Sequence, residues 1–220
     1  MTPPHYQMYI DGAWVDSSTT VDVTNPASDA LVATVAHGNA DDADRAVAAA
    51  LRAHRDGEWR NTPPEERAKV MTRWVEILNE RMDEYVDLHV AENGVTRRQA
   101  MAFHVGYAIS HLQYFADLAA TYEFSRSGPM LGYPTVAAGL VRREPFGVVA
   151  GIVPWNFPML LAVWKFGPAL AAGNTIVLKP DEKTPLTLLE MARAAHDAGV
   201  PAGVFNVVTC LLYTSDAADE

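Results

Sequence analysis

The sequence predicts an α/β protein whose central element is an incomplete, Rossmann-type parallel sheet. Continuous apolar runs at 147–154, 174–180 and 203–208 indicate strands covered on both faces, because a half-exposed strand would alternate apolar and polar residues. Helical patterns at 159–173 and 185–199 separate these runs. Alternation of strand and helix predicts right-handed β-α-β units, and therefore parallel pairing of the three strands.

The region before this sheet, 1–121, is expected to open with strands. Residues 6–16 contain two aromatic-rich runs around Asp11-Gly12, a dipeptide that suits the tight turn of a hairpin. A partly alternating run at 30–36 predicts a further strand.

Helices are predicted to fill the rest of 1–121. Asn39 or Asp41 is expected to cap an alanine-rich helix that ends at Gly57. A second helix is expected to begin near Pro64, and its apolar stripe comprises Ala68, Met71, Val75, Leu78 and Met82. Further helices are predicted at 85–92 and 96–120.

Composition changes at 122–145, where Gly, Pro, Ser and Thr interrupt any helical period and predict an extended ribbon. The segment 146–209 holds the first β-α-β-α-β half of the sheet. The last residues, 210–220, do not continue the pattern and are expected to be a non-native tail.

The charge balance excludes several classes of partner. A net charge of −10 disfavours nucleic acid and anionic membrane surfaces, which attract basic proteins. No run of about 20 apolar residues is present to span a bilayer. One cysteine fits a reducing compartment, so a cytoplasmic location is expected, with neither a membrane nor a nucleic acid as partner.

Polar side chains follow two of the predicted parallel strands. Asn156 comes after the first strand, and Lys179 and Glu182 come after the second. Since ligands bind outside the carboxyl ends of parallel strands, these side chains are candidates for a nucleotide site, with Lys179 and Glu182 able to hold a ribose diol. The glycine fingerprint of dinucleotide-binding loops is absent.

Each of these residues also has a structural interpretation. Asn156 could cap the following helix instead of stabilising an oxyanion. Lys179 and Glu182 could be solvated loop charges. Lys165 lies between Trp164 and Phe166 in an apolar helix, where a lysine must extend to solvent or find a partner. The pattern alone leaves these alternatives open.

Several long motifs favour the functional interpretation of these residues, because they resemble a known family. The chain contains the motifs IVPWNFP, PALAAGNTIVLKPDEKTPL and PAGVFNVVT, and a lysine nine residues after the asparagine of the first motif. Together these features resemble the NAD(P)-dependent aldehyde dehydrogenase superfamily. The resemblance extends through EPFGVV and YIDGAWV and covers about residues 6–209. It implies an N-terminal portion of such an enzyme, which would oxidise an aldehyde to a carboxylic acid through a thiohemiacetal.

The resemblance also implies roles for individual residues. Asn156 matches the asparagine that stabilises the oxyanion, and Lys165 matches a lysine near the catalytic centre. The expected cofactor-binding residues are Val153, Pro154, Trp155, Lys179, Asp181 and Glu182. Glu182 favours NAD over NADP, since a carboxylate repels a 2′-phosphate. The ribbon 122–145 matches part of an oligomerisation hairpin, which implies a homodimer or homotetramer in the intact protein.

The resemblance places the nucleophilic cysteine and the general-base glutamate downstream of residue 209, so this chain alone is expected to be inactive. Cys210 does not match the nucleophile by motif or position. A fragment of the sheet is also expected to leave an unpaired strand edge.

Two alternative functions stay open. One is a non-catalytic protein that binds nucleotides or joins subunits through the ribbon. The other is an acyl-CoA-forming or semialdehyde enzyme of the same fold. The aldehyde is not specified, although Phe157, Met159, Leu160 and Trp164 are expected to form one wall of the substrate site.

Overall fold

The computed structural model describes residues 3–210. The strands, numbered in chain order, are β1 (His5–Tyr6), β2 (Met8–Ile10), β3 (Ala13–Val15), β4 (Thr20–Thr24), β5 (Leu31–Ala36), β6 (Ser125–Leu131), β7 (Ala137–Arg142), β8 (Val148–Ile152), β9 (Thr175–Lys179) and β10 (Phe205–Val207). The α-helices are α1 (Ala40–Arg55), α2 (Pro64–Glu80), α3 (Met82–Asn93), α4 (Arg97–Gln99), α5 (Gly106–Thr121), α6 (Pro158–Ala171) and α7 (Leu186–Asp197). A π-helical segment, Ala100–Val105, joins α4 to α5.

The central sheet has five strands in the order β3-β2-β10-β9-β8. Strands β8, β9 and β10 are parallel, as the apolar runs predicted. Helices α6 and α7 connect them, so the β-α-β-α-β prediction is confirmed. The carboxyl ends of these strands therefore lie along one edge, where the candidate site is located.

The N-terminal hairpin completes this sheet on one side. Asp11 and Gly12 have φ values of 55° and 76°, as the tight turn between β2 and β3 requires. Strand β2 pairs antiparallel with β10, where Tyr9 lies opposite Val207. The β10 side of the three parallel strands is therefore paired. Among the described residues, β8 has a partner on one side only, which is β9.

A second sheet of three strands has the order β1-β5-β4. Strand β4 was not predicted, because its sequence TVDVT is short and half polar. Asn39 caps α1 through a reciprocal capping box with Asp42, which answers the choice between Asn39 and Asp41. Met82 belongs to α3 and not, as the stripe suggested, to α2.

The core between the helices and the central sheet is built around three aromatic rings. Trp74 of α2 stacks on Phe166 of α6 with 4.7 Å between centroids. Phe205 of β10 meets both rings edge-on at 5.1 and 5.2 Å. These residues tie the N-terminal helices to the sheet, so 1–121 and 146–209 share one hydrophobic core.

The predicted ribbon is an antiparallel pair, β6 and β7. It is exposed along most of its length, including Met130 (75%), Tyr133 (91%) and Leu140 (70%). Within residues 3–210, every helix is too short or too polar to cross a membrane.

Candidate active site

The turn between β8 and α6 carries the candidate oxyanion residue. Its first residue, Val153, is buried and donates its N–H to the carbonyl oxygen of Lys179 at 2.9 Å. This bond joins the carboxyl ends of β8 and β9. The next three residues, Pro154, Trp155 and Asn156, are exposed along the edge of the sheet.

Asn156 does not cap the following helix. Helix α6 begins at Pro158, its N-cap residue is Phe157, and no side chain forms a capping hydrogen bond. A proline at the first position tolerates this, since it has no N–H to satisfy. Within the described part of the chain, the Asn156 side chain has no hydrogen-bond partner and is exposed. The capping interpretation is therefore wrong.

Neighbouring elements hold the turn from outside. The side-chain amide of Asn93, the last residue of α3, donates to the carbonyl oxygen of Trp155 at 2.7 Å. The ring of His104 stacks on Phe157 with 4.2 Å between centroids and 17° between planes. Asn156 thus lies between two residues that other helices contact.

Lys165 lies against β8, behind this turn. It is half-buried, and a Cβ added to Gly151 would lie 3.3 Å from Lys165 Cδ and 2.5 Å from Leu178 Cδ2. Gly151 is thus required for the lysine stem to pack on the strand. No carboxylate among the described residues forms an ion pair with Lys165.

The turn after β9 holds the expected ribose-binding residues. Lys179 Nζ donates to the carbonyl oxygen of Pro180 at 2.8 Å. Asp181 Oδ1 accepts the N–H of Lys183 at 3.0 Å, so Asp181 shapes the turn. Glu182 is exposed, and it makes no ion pair with Lys179.

Glu182 and Trp155 line one groove. Its opposite wall includes Val21 and Asp22 of β4, the strand that the sequence did not predict. A shallow depression also includes Glu182, together with Cys210. The structure therefore brings the two strand-end segments together at one surface, as predicted.

Cys210, the single cysteine of the sequence, is half-buried beside this depression. It forms an isolated parallel bridge with Gly38, whose N–H donates to the carbonyl oxygen of Thr209 at 2.7 Å. Burial raises the pKa of the Cys210 thiol. A protonated thiol is a poor nucleophile, in agreement with an incidental role. The remaining residues of the expected tail, 211–220, lie outside the described residues.

Of the four residues expected to form one wall of the substrate site, two are exposed and two are buried. Phe157 and Trp164 are exposed, and Trp164 Nε1 donates to His111 Nδ1 at 2.6 Å. Met159 and Leu160, in contrast, are buried in the core. The first turn of α6 rotates these two side chains inward, so they pack on the sheet and do not face solvent.

Sequence reasoning missed a buried polar cluster next to the turn. His89 Nε2 lies 2.9 Å from His104 Nδ1, and His89 Nδ1 lies 3.9 Å from Glu92 Oε1. Burial, and then the neighbouring His104, lower the pKa of His89 to about 3. Burial raises the pKa of Glu92 to about 7 despite its hydrogen bonds from Thr187 and Leu186. No periodicity marks these residues, which interrupt ordinary helical faces.

Comparison with known proteins agrees with this geometry. The profile of the aldehyde dehydrogenase family matches residues 14–215. Phenylacetaldehyde dehydrogenase of Pseudomonas fluorescens is 41% identical over 94% of this chain, and α-ketoglutarate semialdehyde dehydrogenase of Haloferax volcanii is 44% identical over 95%. The chain spans 42% of the length of each of these relatives.

A solved structure shares the fold. The NAD-dependent aldehyde dehydrogenase from Sinorhizobium meliloti superposes with a TM-score of 0.90 at 35% identity, covering 99% of this chain and 43% of that one. The profile match, the relatives and the shared fold cover the same strands and turns that carry the site. The chain belongs to the aldehyde dehydrogenase family.

Proposed function

We propose that this chain is part of a longer enzyme that oxidises an aldehyde to a carboxylic acid with NAD⁺. The observation that carries the proposal is Asn156, whose side chain is exposed at the sheet edge and is not used as a helix cap. An amide left without an internal partner is available for a developing negative charge. The overall reaction takes aldehyde, NAD⁺ and water to carboxylate, NADH and two protons.

Asn156 would act as a hydrogen-bond donor. When a thiolate attacks the aldehyde carbon, the carbonyl oxygen becomes an oxyanion, and a fixed side-chain N–H stabilises that charge more than it stabilises the neutral aldehyde. The family resemblance places the thiolate and the general base after residue 209. The chain alone is therefore proposed to lack activity, while it supplies the oxyanion donor and part of the cofactor site.

The residues at the sheet edge fit a nicotinamide dinucleotide. Glu182 is an exposed carboxylate without a partner among the described residues, so it can accept hydrogen bonds from ribose hydroxyls. Lys179 lies at the same edge, and Trp155 lines the same groove as Glu182. When bound, the cofactor would accept the hydride of the aldehyde. Glu182 favours NAD over NADP through charge repulsion of a 2′-phosphate.

The test uses the longer reading frame that contains this sequence. With the intact protein and an aldehyde, Asn156→Ala is expected to lower kcat about 100-fold to 1,000-fold, as measured by the absorbance of reduced nicotinamide. Asn61→Ala is the matched control, because Asn61 is an exposed asparagine on the α1–α2 connection. Equal rates for Asn156→Ala and the parent would refute the oxyanion role. No oxidation of any aldehyde would refute the function.

The substrate and product are tested in the same assay. The two relatives act by name on an aromatic aldehyde and on an acidic semialdehyde, so both classes belong in the panel. Adding coenzyme A distinguishes free-acid from acyl-CoA formation. Cofactor choice is tested by measuring kcat/KM with NAD⁺ and with NADP⁺ in the parent and in Glu182→Gln. Because the substitution removes the negative charge, the ratio of kcat/KM for NAD⁺ to that for NADP⁺ should fall.

The exposed ribbon favours a role in assembly. Met130, Tyr133 and Leu140 present apolar surface that another subunit would cover. A homodimer or homotetramer is therefore part of the proposal, and a cytoplasmic location rests on the single cysteine. If the chain functions by itself, the second candidate is a non-catalytic assembly or nucleotide-binding protein. Co-purification with a full-length relative would support it.

A further inference from the structure

The turn that carries Asn156 has few internal contacts of its own. Its helix lacks a side-chain cap, and Pro154, Trp155 and Asn156 are exposed. Such a turn would sample several conformations unless other elements restrained it. An oxyanion donor needs a fixed position, because its catalytic benefit depends on being oriented before the reaction.

Two restraints on this turn come from residues close together in space. Asn93 holds the carbonyl oxygen of Trp155 at 2.7 Å. His104 stacks flat against Phe157, and behind His104 lies His89, with a nitrogen–nitrogen distance of 2.9 Å. Asn93 and His89 are one helical turn apart at the end of α3. The carbonyl before Asn156 and the ring after it are therefore both tied to one helix end.

We propose that the buried pair His89–His104, together with Asn93, positions the Trp155–Phe157 turn and so orients the side-chain amide of Asn156. This inference rests on the proposed oxyanion role of Asn156 for its purpose. The three residues are positioning residues, because each acts on Asn156 through its contact with Trp155 or Phe157 or with each other.

The end of α3 can serve as a fixed support because it is anchored elsewhere. Glu92 is buried and accepts hydrogen bonds from Leu186 N at 2.7 Å, from Thr187 N at 3.1 Å and from the Thr187 hydroxyl. The two N–H groups are orphan main-chain donors of helix α7, whose N-cap Pro185 provides no side-chain acceptor. Glu92 thus locks α3 to α7, immediately before Asn93.

The π-helical segment explains how His104 reaches both neighbours. A π turn is wider than an α turn, and such segments occur often at functional sites. Within Ala100–Val105, His104 is buried while Phe103 beside it is exposed. The extra residue in this turn directs His104 inward, towards His89 and Phe157.

The geometry also assigns the protons of the histidine pair. Of two neutral imidazoles in contact, one must donate and the other must accept. His89 Nδ1 is 3.9 Å from Glu92 Oε1 and has no hydrogen-bond partner within the described residues. A proton on His89 Nδ1 faces an oxygen lone pair of Glu92 favourably, whereas a nitrogen lone pair there would be repelled. His89 Nε2 therefore accepts, and His104 donates through Nδ1–H.

Amide hydrogen exchange of the 220-residue chain tests the positioning role without requiring activity. His104→Ala and Asn93→Ala are each expected to raise about tenfold the exchange rate of the Val153 and Leu161 amides, which flank the turn and donate to the carbonyl oxygens of Lys179 and Phe157, as the loss of one restraint predicts. His111→Ala is the matched control, since His111 lies further along the same helical stretch and contacts Trp164 instead of the turn. His104→Phe keeps the ring stack and should restore much of the protection.

Nuclear magnetic resonance supplies a readout that general destabilisation would not give. In the parent, ¹⁵N shifts should show both histidines protonated at Nδ1, and the Asn156 side-chain amide should shift in His104→Ala and Asn93→Ala but not in His111→Ala. Unchanged exchange at Val153 and Leu161 in both variants would overturn the inference, as would a uniform rise throughout the chain. If the longer protein were inactive but the variants still showed the expected exchange changes, the proposed function would be refuted and the positioning role would stand.

Discussion

Glu92 and His89 should make the stability of this chain depend on pH in two opposite ways. Burial raises the pKa of Glu92 from 4.5 to about 7, so between these values the folded chain keeps a proton that the unfolded chain releases, and stability falls as pH rises. Burial and His104 lower the pKa of His89 from 6.5 to about 3. Over that range only the unfolded chain is protonated at His89, so stability rises with pH.

The two contributions have nearly equal slopes. Each group changes the free energy of unfolding by about 1.4 kcal/mol per pH unit where only one state is protonated. Between pH 4.5 and 6.5 the contributions cancel in the parent. Relative to the parent, Glu92→Gln should uncover a rise of about 3 kcal/mol over this window, and His89→Gln a fall of about 3 kcal/mol.

Urea unfolding followed by circular dichroism at several pH values across this window measures both slopes. Glu58→Gln is the control, because Glu58 is an exposed carboxylate in the loop after α1 and should leave the parent slope unchanged. Slopes for Glu92→Gln and His89→Gln that equal the parent slope, or that change in the same direction, would refute the linkage. Burial of His104 lowers its pKa too, but this histidine is present in every variant and drops out of the comparison.

Three further substitutions are expected to lower stability by different mechanisms. Asn206→Ala removes a fully buried amide that accepts the N–H of Asp11 and donates to two main-chain carbonyls. It should lower the free energy of unfolding in urea by about 3 kcal/mol. A loss below about 1 kcal/mol, the net value of one hydrogen bond, would mean that water replaces the amide. Asn39→Ala removes the cap of α1 and should cost about 1 kcal/mol, with no loss expected if the capping box is not formed in solution. Gly151→Ala places a Cβ 2.5 Å from Leu178 Cδ2 and should lower the free energy of unfolding in urea by about 2 kcal/mol, whereas an unchanged free energy would show that the leucine repacks freely.

Features that depend on neighbouring residues were predictable from the sequence. The turn at Asp11-Gly12 needs only residues that accept positive φ, and the start of α1 needs only an asparagine with an aspartate three residues later. The three parallel strands follow from their own apolar runs. Each of these signals is contained within a few residues, so distant parts of the chain do not alter it.

Features that depend on distant residues were not predictable in this way. The sequence of neither strand predicts the pairing of Tyr9 with Val207. A strand that pairs on both sides and a strand at the edge of a sheet can have the same amino-acid composition. His89 and His104 each resemble an ordinary helical histidine until the two helices meet. Family resemblance implied a role for Asn156, whereas the contacts of Asn93 with Trp155 and of His104 with Phe157 are visible only in the structure.

The strand that closes the central sheet has a consequence for how the chain is made. Asp11 and Asn206, which fasten the hairpin to the third parallel strand, are 195 residues apart. At about 5 to 20 residues per second, a ribosome needs roughly 10 to 40 seconds between synthesising one and the other. Throughout that interval the nascent hairpin exposes an apolar strand with unsatisfied main-chain groups. Chaperone dependence during synthesis should therefore decrease in variants whose hairpin is moved, by circular permutation, next to its partner.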